Sequence, residues 1–97
     1  MIEHIVLIRW KEGISREQVS DVLDRARMLE GIEGVESVST RRTYGTNKRD
    51  HGITDLMTLR LADAAALERF GLHDLHKEFG VHMTPLIEDV TIVDVMA

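Results

Sequence analysis

The first strand of this chain is apolar on both of its faces. Between Ile2 and Trp10, the residues Ile5, Val6, Leu7 and Ile8 run without a polar interruption, so the middle of the strand needs cover on two sides. A closing strand from Asp89 to Val95 has the same character, with Val90 and Ile92 alternating with Thr91, Val93 and Val95. The helical material between them is enough to roof one sheet face. A second copy of the same sheet, packed across a two-fold axis, is the simplest cover for the other. At roughly 25 cal/mol per Å², removing about 600 Å² of apolar surface per subunit from water contributes on the order of 15 kcal/mol before entropy costs. A homodimer is expected.

The intervening segments carry clear local signals. Ser15 followed by Gln18 is a capping box, with Ile14 placed to staple against Val19. Val19, Val22, Leu23, Ala26 and Leu29 then recur at helical spacing, and Gly31 is the expected left-handed stop. Val35 to Thr43 reads as a polar, edge-like strand and Gly45 to Gly52 as a loop. Thr54 to Leu61 alternates strictly, with Met57, Leu59 and Leu61 opposed to Leu56, Thr58 and Arg60. These two strands are expected to form a hairpin. Asp63 is an N-cap for a helix over Ala64 to Phe70, and a further helix from about Leu72 to His82 follows a break near Gly71 and ends before Pro85. The order strand, helix, strand, strand, helices, strand predicts one α+β domain over residues 1–97, a ferredoxin-like four-stranded, mainly antiparallel sheet with helices on one face. Paired with its copy, it makes a dimeric α/β barrel.

Composition narrows the chemistry. With 97 residues, 43% hydrophobic and 30% charged, the chain is globular, and a domain of this size buries only about 60–68% of the surface that its unfolded form exposes. Zero Cys excludes disulfides, thiol nucleophiles and thiolate metal sites. A net charge of -5 argues against nucleic acid as a partner. The one basic cluster, Arg41, Arg42, Lys48 and Arg49, reads as a solvated loop. No run reaches the length that spans a bilayer, and the first residues form no secretory signal, so no membrane partner and a cytoplasmic address are expected. There is no glycine-rich phosphate loop, no G-x-S-x-G elbow and no EF-hand, hence no expected cofactor.

Of five His, two have informative positions. His4 shares a strand face with Ile2, Val6, Ile8 and Trp10; with helices packed on Ile5 and Leu7, it would point into an inter-sheet chamber. His76 falls on a stripe with Leu72, Leu75, Phe79 and Met83, where a titratable ring needs a partner or a purpose. His73 lies at the edge of that stripe and could meet His76 or a ligand. His82 and His51 read as surface residues. A single such His is usually a hydrogen-bonded core residue, whereas two that converge make a pocket suited to acid–base work or to binding a phenol or carbonyl. The i, i+3 spacing of His73 and His76 also permits a metal, but no carboxylate completes a ligand motif with them, and no metal is expected.

The segments Ile2 to Gly13, Gly31 to Ser37, Gly52 to Asp55, Phe70 to Phe79 and Ile87 to Asp94 together resemble the stress-responsive A/B barrel domain over essentially the whole chain. That resemblance implies a dimeric α+β barrel. It also implies a chemistry: catalytic members close poly-β-keto chains by aldol condensation, with a base at the position of His76 and a strand His at that of His4. In those members a Tyr stands at the place of Phe70 and a His at that of Asp55, and Phe cannot donate the hydroxyl hydrogen bond. The resemblance makes His76 the base, His4 an orienting group, and His73, Phe70, Asp55, Trp10, Val6, Ile8 and Phe79 the surroundings of a ligand. Three readings remain open: a binder of a small apolar, carbonyl- or phenol-like molecule; a cofactor-independent cyclase, isomerase or lyase; and a structural stress protein without a ligand.

Overall fold

Ser15 begins the first helix as its spacing predicts. Its hydroxyl accepts from the Gln18 backbone N–H at 3.1 Å, and the Gln18 side chain accepts from the Ser15 N–H at 2.9 Å, so two otherwise orphaned donors are satisfied. A computed structural model describes residues 1–97 and gives the order β1 (Ile2–Trp10), α1 (Arg16–Arg25), a 3₁₀ segment (Ala26–Gly31), β2 (Val35–Arg42), β3 (Asp55–Leu61), α2 (Ala64–Leu72), α3 (Asp74–Met83), a short 3₁₀ turn (Thr84–Leu86) and β4 (Ile87–Met96). The strands form one sheet in the order β2-β3-β1-β4, with every neighbouring pair antiparallel. This is the expected ferredoxin-like α+β arrangement. No helix is long and apolar enough to cross a membrane.

The first helix does not run on to Gly31. From Ala26 the chain tightens to 3₁₀, whose three residues per turn stack positions i and i+3. Ala26, Leu29 and Ile32 thereby all enter the core, none more than 2% exposed. The left-handed residue that turns the chain into β2 is Gly34, at φ +93°. An added Cβ there would lie 2.5 Å from the Ala66 Cβ. Position 34 must therefore be glycine both for its dihedral and for the close approach of α2.

The register corrects one expectation. β1 places Ile8, Val6 and His4 opposite Asp55, Met57 and Leu59 of β3 and opposite Val90, Ile92 and Asp94 of β4. Paired residues share a face, so β1 inherits its orientation from β3, whose Met57, Leu59 and Leu61 are buried. The helices thus pack on the Val6 and Ile8 side, and His4 lies beneath them rather than between two sheets. Ile5, Leu7, Leu56 and Val93 populate the opposite face, which the chain's own helices do not cover. Val93 and Val95 remain 45% and 40% exposed there.

Candidate functional site

The cavity lies within one subunit, between the sheet and the helices α2 and α3. It is an open-sided pocket of about 190 Å³, with Ile92 at its rim 51% exposed. Its sheet wall is His4, Val6, Met57, Val90 and Ile92; its helix wall is Phe70, His76, Phe79, Gly80 and Met83; Leu29, Thr84 and Ile87 complete it. Hydrophobic side chains dominate, and the two imidazoles are its only titratable groups. A larger depression of about 430 Å³, bounded by Leu7, Arg9, His51, Ile53, Asp89 and Thr91, lies on the opposite sheet face. It is more polar, and it has no buried titratable pair.

His4 is held by its strand and by a carboxylate. Asp94, directly across the β1–β4 ladder, meets its Nδ1 at 2.6 Å. An ionised carboxylate only accepts, so the contact orients the ring through Nδ1 and leaves Nε2 without a protein partner. No protein group bonds Nε2, yet no buried polar side-chain atom is without a partner. The free nitrogen therefore reaches the accessible space of the cavity. Phe70 stands between the two imidazoles, 5.2 Å from the His4 ring in an edge-on contact and 4.6 Å from the tilted His76 ring.

His76 is half-buried in the helix wall. Burial pushes its pKa below the ordinary 6.5, proximity to His4 pushes the same way, and the Gly71 carbonyl only partly opposes them. The ring is thus neutral at pH 7 and can accept a proton or a hydrogen bond.

Other expected site residues stand elsewhere. His73 is the N-cap of α3, and its Nδ1 accepts from the Leu75 N–H at 3.0 Å. That commitment arises because the α2–α3 break falls at His73, not Gly71. The same break puts Leu72 at the end of α2, where it is 69% exposed and off the stripe of His76. Ile8 is fully buried in the core. Trp10 donates its indole N–H to Asp55 at 2.8 Å. Asp55 accepts in addition from both terminal nitrogens of Arg16, at 2.8 and 2.9 Å, and from the Thr54 hydroxyl at 2.7 Å. This carboxylate ties α1 to β1 and β3. Val6, Phe70 and Phe79, by contrast, line this cavity. No group of three or more His, Asp or Glu is placed to hold a metal ion.

Sequence reasoning missed Asp94, Gly80 and Met57. Asp94 could have been found by applying the alternation of β3 to β1 and then to β4, since the faces must agree across each ladder. Gly80 falls four residues after His76 and so on the same side of the helix.

Comparisons with known proteins agree with this architecture. Residues 2–97 match the family model described as the stress responsive A/B barrel domain. No curated protein matches the chain. Among solved structures, an Arabidopsis thaliana protein overlays with a TM-score of 0.91 at 18% identity, covering 100% of this chain and 95% of that one. A hydroxynitrile lyase from Passiflora edulis overlays with a TM-score of 0.87 at 19% identity, covering 99% and 92%. A protein of the same family from Mesorhizobium loti, with a ferredoxin-like fold, gives 0.82 at 22% identity, covering 99% and 95%. At these identities the likeness is one of fold. The family match runs from the first strand through the last, across both walls of the imidazole-lined cavity, and on it the chain belongs to the stress responsive A/B barrel domain family.

Proposed function

We propose that this protein binds a small, largely apolar molecule carrying a hydroxyl or carbonyl group, held against His4 and His76 in the cavity of each subunit. The observation that carries this reading is the contrast inside the cavity: apolar walls surround two imidazoles, one oriented by Asp94 and the other kept neutral by burial. An apolar cleft with a few convergent polar groups is the usual build of a small-molecule site. The subunit is proposed to pair with a second copy through its uncovered sheet face. In support, an overlaying structure from Thermobifida fusca is described as a dimeric ferredoxin-like protein. A cytoplasmic location accords with the sequence.

The test is native mass spectrometry of the protein purified from its own host, followed by titration of any released molecule. Wild type is expected to carry an adduct, and His76→Ala to bind the molecule about three- to tenfold more weakly, the loss of one hydrogen bond. A bare subunit in every preparation, with His76 ring resonances that no hydroxyl- or carbonyl-bearing apolar compound shifts, contradicts the reading.

A second reading is catalysis without a cofactor. A neutral His76 on an apolar wall suits proton abstraction next to a carbonyl or from a hydroxyl, with His4 and Asp94 orienting the substrate. The overlay with a hydroxynitrile lyase supports that class by analogy of fold. On this reading His76→Ala lowers turnover by about 10²- to 10⁴-fold while the subunit pairing persists.

A further inference from the structure

We propose that Gly80 is the specificity-determining residue of this cavity: it leaves open the path taken by the apolar arm of a hydroxyl-bearing ligand, and so sets how long an arm the protein accepts. The inference rests on the reading that the cavity binds such a molecule against its imidazoles.

The cavity has a direction. His4, Val6 and Ile8 pair in turn with Asp94, Ile92 and Val90, so the β1–β4 wall runs from an imidazole–carboxylate pair to aliphatic side chains. The helix wall runs the same way, from His76 past Gly80 to Met83 and Thr84, roughly 10 Å along the axis from His76 to Met83. One end offers the two imidazoles, which hydrogen-bond a hydroxyl. The other is mainly apolar, with Met83, Ile87 and Val90 and the single hydroxyl of Thr84. A molecule with a hydroxyl head and an alkyl or aryl arm matches both.

Gly80 sits on that path without a backbone reason. It is well inside α3, its φ is not positive, and an added Cβ would meet no atom within 4 Å. Glycine inside a helix is less stable there than almost any other residue. Gly34 shows the contrast, since its dihedral and its contact with Ala66 both demand glycine. At position 80 the missing side chain creates only space, one helical turn beyond His76 and facing the same cavity.

The experiment titrates 1-butanol, 1-hexanol and 1-octanol into wild type, Gly80→Ala and Gly80→Leu, following the ring signals of His76 and Phe70 by NMR. Wild-type affinity is expected to climb about three- to fourfold for each methylene buried. Gly80→Leu should flatten that climb, changing 1-butanol by less than about twofold and weakening 1-octanol by about tenfold or more, with Gly80→Ala between them. Both replacements favour helix over glycine, so melting temperatures should hold or rise. A fall in both melting temperatures overturns the proposal, because the position would then not be free. An equal climb in wild type and Gly80→Leu overturns the role of Gly80 while the binding reading stands. If none of the alcohols shifts the His76 signals of wild type, both fall together.

Discussion

Asp55 is a charged group in the core that accepts hydrogen bonds on both carboxylate oxygens. It is 1% exposed, and burial by itself would raise its pKa. The bonds from Arg16, Thr54 and Trp10 outweigh that and hold the carboxyl below its ordinary range. A carboxyl lowered by folding stabilises the folded state above its unfolded pKa, near 4, and this contribution disappears as the pH falls through the folded value. Urea unfolding at pH 7 should show Asp55→Asn destabilised by about 2–3 kcal/mol. Arg16 is nearly half exposed, so the loss comes from the buried hydrogen bonds more than from screened attraction between charges. Below about pH 4 wild type should lose that advantage and the two proteins should converge; a gap of unchanged size at pH 3 contradicts this account. From the sequence Asp55 read as a ligand contact. Its partners Arg16 and Trp10 lie 39 and 45 positions away, and no local periodicity reports such a pairing.

Helices and strands were easier to foresee than the faces they present. The capping box at Ser15, the Asp63 cap and the strict alternation of β3 are encoded within a few residues, and the structure reproduces them. The 3₁₀ segment escaped notice because Val19, Val22, Leu23, Ala26 and Leu29 satisfy α and 3₁₀ spacing almost equally. β1 offered no answer about which face the helices take, since Ile5 and Leu7 are as apolar as Val6 and Ile8. Only its ladder with β3 decides. Of the candidate site, the sequence singled out His4 and His76, which line one cavity with Val6, Phe70 and Phe79, but it placed His4 between two sheets and not beneath the helices. The connection into β2 supplies a sharp test. Gly34→Ala combines a left-handed dihedral with a 2.5 Å approach to Ala66. It should cost about 2–3 kcal/mol and lower the melting temperature by about 10–20 °C. Calorimetry showing a change of less than about 3 °C would remove the packing argument for that turn.

Placing His4 beneath the helices separates association from binding in the assembled molecule. The proposed interface uses Ile5, Leu7 and Val93 on one side of the sheet, and the cavity uses His4, Val6 and Ile92 on the other. Leu7→Glu puts a charge into the centre of the apolar face and should convert a species of twice 11.0 kDa into one of 11.0 kDa in sedimentation at micromolar concentration. The ring contacts of Phe70 with His4 and His76 should survive, visible as unchanged NMR signals. A wild type that sediments as a single subunit leaves the exposed valines of β4 without a partner. The bond between His4 and Asp94 joins residues 90 positions apart, with β4 hydrogen-bonded only to β1. During synthesis β1 must wait for the residues up to Asp94 to emerge before the His4 ring is aligned. Until then the ribosome carries a sheet without its edge and an imidazole free to rotate, so assembly of the pocket is bound to be among the slower, least local steps of folding.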